Sequence, residues 1–285
     1  MTASSRIFGI TIDGVKTDAF VPLADMLNHR RPKQTSWMYD NEAKGFVIEA
    51  LDDIPKGSQI FDSYGRKCNS RFFMNYGFIV DKNDADEVAI QMRYDSNDPL
   101  LDLKKELTGT DAESKSIRVM ADLEEQCASD LFSHLRFIVL RDKSKLLMLS
   151  EAKDHNDQDT FFTFFKPKKT PPLSLENEFA MIERVKKVCE DQLKLYLTSL
   201  EEDEKRINND EEQLSTNERN CIMLRMGEKS ILRFYISFAD KVLPLFKLRF
   251  KDVRKVIFSP ELISCNEYVK KCIVPLMLKE ESGAK

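Results

Sequence analysis

Asp62-Ser63-Tyr64-Gly65-Arg66-Lys67-Cys68-Asn69 runs on through Ser70-Arg71-Phe72-Phe73-Met74-Asn75-Tyr76-Gly77-Phe78-Ile79-Val80, a stretch that contains two tyrosine-glycine pairs. Each pair sets a phenol beside a backbone position that can turn sharply or let another segment approach closely. Residues 69–75 between them read as a short helix, with Gly77 as its stop. Upstream, Val21-Pro-Leu-Ala-Asp25-Met-Leu-Asn28-His29 is an apolar run that ends abruptly in polar Asp25, Asn28 and His29. By residue type alone, an Asn-His pair and two Tyr-Gly turns are more often parts of ordinary loops than of a catalytic site. Chemistry alone does not choose.

Around these segments the first third of the chain is rich in β-branched and aromatic residues punctuated by glycine. Strands are expected at 6–12, 36–40, 45–51, 59–63 and 87–92, with a hairpin signal at Asp13-Gly14. From about residue 98 the period becomes helical. Phe179, Ile182, Val185, Cys189, Leu193, Tyr196 and Leu200 predict one continuous apolar face over 178–200, with Asn177 as its N-cap. Ser215 and Glu218 have capping-box spacing at the start of a second helix, and helical patterns also cover 111–141 and 260–278. The acidic run Glu201-Glu202-Asp203-Glu204 reads as a solvated helix surface, and residues 166–172, KPKKTPP, as a linker.

With 285 residues, 42% hydrophobic and 32% charged, the chain can bury a sizeable core, which excludes global disorder. Two domains suit that length. A net charge of −4 lacks the basic excess of a nucleic-acid binder. No apolar run reaches the roughly 20 residues of a membrane span, and the N-terminus has no secretory pattern. An intracellular protein, cytoplasmic or nuclear, is the expectation. The six cysteines and the histidines His29, His134 and His155 show no zinc spacing, so free thiols and no structural metal are expected. There is no GxGxxG, P-loop, GxSxG or HExxH.

PLADMLNH, followed after a strand pair by DSYGRKCNSRFFMNYGFIV, resembles the C-terminal half of a SET domain of the Rubisco lysine methyltransferase class, which includes the actin-histidine methyltransferases. Downstream, the EEDE run and LRMGEKSIL resemble that class's helical substrate-binding domain; the likeness covers residues 4–236, and 240–285 match no part of it. It implies an α+β chain, with residues 1–95 the C-terminal part of a SET β-fold and 96–285 a helical substrate-binding domain. It also implies methyl transfer from S-adenosylmethionine to a side-chain nitrogen of a protein substrate, without metal, nucleic acid or membrane. Asn28 and His29 match the pair that binds the cofactor. Tyr64 matches the tyrosine lining the methyl-transfer channel, and Tyr76 the second channel tyrosine, which contacts the target amine. Arg6 and Asp25 match positions near cofactor and substrate, and Trp37 or Tyr39 the substrate groove.

The chemistry asks for such groups. A lysine amine must be neutral to attack a methylsulfonium carbon, and a desolvated channel lowers its pKa. Tyr76 makes lysine the expected acceptor rather than histidine. Two departures bear on this reading. The family segment that holds the cofactor's methionine end would precede Arg6, so weak cofactor binding by these residues alone is expected. Ile10 stands where the family has an arginine. The alternative is a catalytically incomplete protein that uses its helical domain to bind other proteins.

Overall fold

The computed structural model describes residues 3–108, 114–151, 172–209 and 213–283. His155 and, apart from Pro172, the KPKKTPP run lie outside them. The chain divides into two compact units, Met1–Asp86 and Glu87–Lys285.

The first unit is built of short strands. β1 (Ile7–Ile12) and β2 (Val15–Phe20) form a hairpin with Ile12 opposite Val15. Its two-residue turn, Asp13-Gly14, has φ of 48° and 81°, the left-handed pair such a turn demands. β3 (Asn28–His29) pairs in parallel with β6 (Phe61–Asp62), two strands of only two residues. β4 (Thr35–Asp40) and β5 (Gly45–Ala50) make a second hairpin, whose Asp40 carboxylate accepts the Glu42 and Ala43 N–H groups. Asn41 in that turn accepts from the Asp13 N–H at 2.9 Å, tying the two hairpin tips together. Phe8, Trp37 and Phe46 pack as an aromatic trio with centroids 5.2–5.6 Å apart. α1 (Asn69–Tyr76) ends at Gly77, whose φ of 79° lets its N–H reach the Phe72 and Phe73 carbonyls.

In the second unit β7 (Val88–Arg93) pairs antiparallel with β8 (Ser114–Val119). β7 therefore belongs here and not with the strands of the first unit. β8 also corrects the expectation of helix over 111–141. Val119 packs inward from this hairpin, and only from Gln126 does the apolar period become helical. α2 (Leu101–Thr108), α3 (Gln126–Val139), α4 (Lys143–Glu151), α5 (Leu175–Leu193), α6 (Leu200–Ile207) and α7 (Thr216–Val242) follow. The core lies where α3, α5 and α7 pack together, with Leu135, Ile182, Val185, Cys189, Leu232, Tyr235 and Val242 buried. α8 (Phe250–Val256), α9 (Asn266–Tyr268), a π-helical turn Val269–Ile273 and α10 (Val274–Glu281) complete it. Residues beyond 240, which the family likeness does not reach, contribute Val253, Val269, Ile273 and Met277 to the same core. Among the described residues no helix is long and apolar enough to cross a membrane.

Three sequence expectations change. The helix over 178–200 stops at Leu193, so Tyr196 and Leu200 leave its stripe; a capping box between Ser199 and Glu202 starts α6 instead. Its N-cap is Ser174, whose Oγ accepts the Asn177 N–H, while the Asn177 side chain donates to the Arg136 carbonyl. The acidic run is a solvated surface except at Asp203, since Glu201, Glu202 and Glu204 are exposed. Asp203 is fully buried and takes Lys229 at 2.6 Å and Arg225 at 3.0 Å, and Glu201 grips Arg233 through two bonds. Asp203 of EEDE and Lys229 of LRMGEK thus form a buried ion pair that joins the two segments, while the Glu201–Arg233 pair is exposed. A buried charge persists only when paired in this way.

Candidate active site

The β3–β6 pair sets Asn28 and His29 beside Phe61 and Asp62. Thr35 Oγ1 fixes the junction by donating to the Asp62 carboxylate at 3.1 Å and the Phe61 carbonyl at 3.2 Å. Past β6 the chain turns through Gly65, whose φ is 93°, and this turn presents Tyr64. Three bonds hold that residue. Its N–H donates to His29 Nδ1 at 3.0 Å, its phenol donates to the Leu27 carbonyl at 2.6 Å, and its carbonyl accepts from Lys67 Nζ. A β-carbon at residue 65 would stand 3.2 Å from that Nζ.

α1 delivers the second phenol. Tyr76, its last residue, lies against Tyr64 with ring centroids 4.7 Å apart. Behind them Phe72, which is fully buried, stacks on Phe78 at 5.2 Å and meets the His29 ring at 4.7 Å. The helix is pinned from outside. Asp86 Oδ1 accepts the Asn69 N–H at 2.6 Å, where the helix lacks a side-chain cap, and Asn69 exchanges two bonds with Val80. Asn83 donates to the Lys67 carbonyl and to Asp86. Asn69, Asp86 and Lys67 escaped the sequence reading. Asn69 carried a weak signal as a polar residue opening a helix; Asp86 carried none, because its partner lies 17 residues away.

Electrostatics keeps both phenols neutral. Burial raises the Tyr64 pKa, with Tyr76 and Asp62 adding to it and Arg6 opposing, and burial raises that of Tyr76. Burial, with Arg31 and Lys67 nearby, lowers the pKa of His29. A neutral imidazole that accepts at Nδ1 carries its proton on Nε2, and among the described residues this buried atom has no partner. Burial also lowers the pKa of Lys67.

The structure therefore brings His29, Tyr64 and Tyr76 into one aromatic cluster. Arg6, which donates to the Asp25 carboxylate at 3.1 Å and its carbonyl at 3.0 Å, is near enough to Tyr64 for both charges to act on it. Leu23, at the head of the short 3-10 turn Ala24–Met26, is held at φ 74°, a strained value for leucine. Asn28 is exposed at the β3 edge. Tyr39 lies in β4 opposite Phe46, and Trp37 is packed in the aromatic trio. Ile10 is buried, so the position where the family has an arginine is apolar here.

Residues 95–232 match the Rubisco LSMT substrate-binding family. The chain is 31% identical over 228 residues to the actin-histidine N-methyltransferase of Callithrix jacchus, a match covering 78% of this chain and 36% of that protein. The corresponding human enzyme is 30% identical over the same share of this chain. The chain thus spans about a third of the length of these relatives. Among solved structures, the SET domain of LSMT bound to lysine and AdoHcy superposes with a TM-score of 0.61 at 19% identity, over 93% of this chain and 59% of that one. Rubisco LSMT bound to AdoMet superposes with a TM-score of 0.57 at 18% identity, over 89% and 57%. The chain thus carries a Rubisco LSMT-type substrate-binding domain and a SET-like fold, and it is similar over most of its length to the class of SET-domain proteins that holds Rubisco LSMT and the actin-histidine methyltransferases.

Proposed function

We propose that this protein transfers a methyl group from S-adenosylmethionine to a lysine side chain of a protein substrate. The observation that carries this reading is the pair of neutral phenols, Tyr64 and Tyr76, 4.7 Å apart. The Tyr64 proton is committed to the Leu27 carbonyl, so its oxygen is left to accept. Two phenols packed together offer two oxygens that can accept the N–H groups of a neutral amine and aim its lone pair. Neither phenol serves as a base, since both pKa values are raised. The apolar surroundings disfavour an ammonium and so favour its loss of a proton to solvent before transfer.

The residues present fit the cofactor. Asn28 offers an exposed amide, and His29 a buried Nε2–H without a partner among the described residues. When bound, S-adenosylmethionine supplies the electrophilic methyl; Asn28 and His29 would hold it, and Tyr64 would border the transfer path. Helices of the second unit would dock the protein substrate.

A second reading, histidine as acceptor, is favoured by the actin-histidine N-methyltransferases among the relatives. An imidazole is largely neutral near pH 7 and needs less help to attack. Transfer from methyl-deuterated S-adenosylmethionine to proteins of a cell extract, read by fragment mass spectrometry, separates the two. Label on lysine Nζ is expected. Label confined to histidine selects the second reading, and no protein label removes both.

A further inference from the structure

β7 is an amphipathic strand with one unpaired edge. Val88, Ile90 and Met92 are buried, Gln91 and Arg93 are exposed, and among the described residues β8 is its single partner in a two-stranded sheet. On the other edge stands α5. Gln192 Nε2 donates to the Ala89 carbonyl at 2.8 Å, and Arg184 donates to the Arg93 carbonyl at 2.9 Å. Residues of an antiparallel strand alternate between facing their partner strand and facing away. Ala89 and Arg93 face away, so Gln91 between them does too, and its N–H and C=O open onto the space before α5.

That space is a cleft of about 660 Å³, lined by Gln91, Arg93, Arg184, Val188, Gln192 and Tyr196 among others. Its rim is basic. Asp191 is bound by both Lys187 at 3.3 Å and Lys194 at 2.9 Å, which leaves Arg93 and Arg184 as the charges facing the opening. A strand edge beside a helix, with side-chain amide and guanidinium groups capping the carbonyls at either end, has the form of a site for an added peptide strand. Backbone bonds would give such a strand its hold and the arginines its charge preference.

We propose that the free edge of β7 and the facing side of α5 bind an acidic peptide segment in extended conformation, with Gln91 exchanging backbone hydrogen bonds with it. The cleft lies wholly within the second unit, and binding there does not depend on methyl transfer.

The test is fluorescence anisotropy on the whole chain with a labelled peptide of alternating valine and glutamate. Saturable binding is expected, with the valine-lysine counterpart binding at least about tenfold more weakly. Arg93→Glu and Arg184→Glu should each weaken it by a similar factor. Gln91→Pro removes an N–H that takes no part in the β7–β8 ladder, so the melting curve should hold while binding falls. Peptides N-methylated along the backbone probe the same bond without altering the protein, should that variant misfold. Equal binding of the lysine peptide, indifference to N-methylation, or no saturable binding would overturn the proposal.

Discussion

Tyr64 is defined by its three bonds, and each ties a different segment to the site. The His29 bond is the one that responds to pH. Only a neutral imidazole accepts at Nδ1, and burial lowers the His29 pKa below its ordinary 6.5. A lowered folded-state pKa means that the interaction is complete above the unfolded value and is lost as pH falls through the folded one. The methyl-transfer rate should therefore lose activity along an acid limb with a midpoint below 6.5. His29→Gln, whose amide oxygen also accepts, should remove that limb in a pH–rate profile. An unchanged limb would separate His29 from the positioning of Tyr64.

At the scale of elements, the second unit is organised by buried charges as much as by its apolar stripe. Asp203 of α6 and Lys229 of α7 are both buried and 2.6 Å apart, and Lys229 also donates to the Thr198 carbonyl. Removing one partner strands the other's charge, which costs about 3–5 kcal/mol. Lys229→Met should lower unfolding stability by that order in a denaturant titration, while Arg225, at 3.0 Å from Asp203, limits the loss. A shift within error would make the network ornamental. The sequence revealed the elements where the signal is local. The Asp13-Gly14 turn, the Gly77 stop and the Ser215–Glu218 capping box all stand as read. It misled where a pattern ran across a break. The apolar spacing continues through residues 194–199 although α5 has ended, because Tyr196 still packs against the core from beyond the helix while its hydroxyl donates to Glu228. It was silent where partners are distant, as with Asp86 and Asn69, or Asp203 and Lys229.

For the molecule as a whole, the two units carry different chemistry: the aromatic cluster in the first, the charge networks and the basic cleft in the second. Their acid responses should differ accordingly. His134 in α3 is buried, with Lys115 nearby, and its pKa falls to about 3. The sign matches that of His29: its neutral form is the folded one, so stability present above 6.5 is lost as pH falls toward about 3. Helical unfolding followed by circular dichroism should show a midpoint temperature that drops across this window. His134→Leu should flatten the drop, and an equal slope in the variant would contradict the assignment.

The account as a whole rests on Tyr64 as the phenol that borders methyl transfer. Its direct test is the single-turnover rate of protein methylation with saturating S-adenosylmethionine, compared between the parent and Tyr64→Phe. Removing a positioned hydroxyl that acts in the transition state should slow the rate by about 10²–10³ while the circular dichroism melt stays close to the parent's. Equal rates in the two proteins would remove Tyr64 from the reaction, and with it the catalytic reading of the cluster.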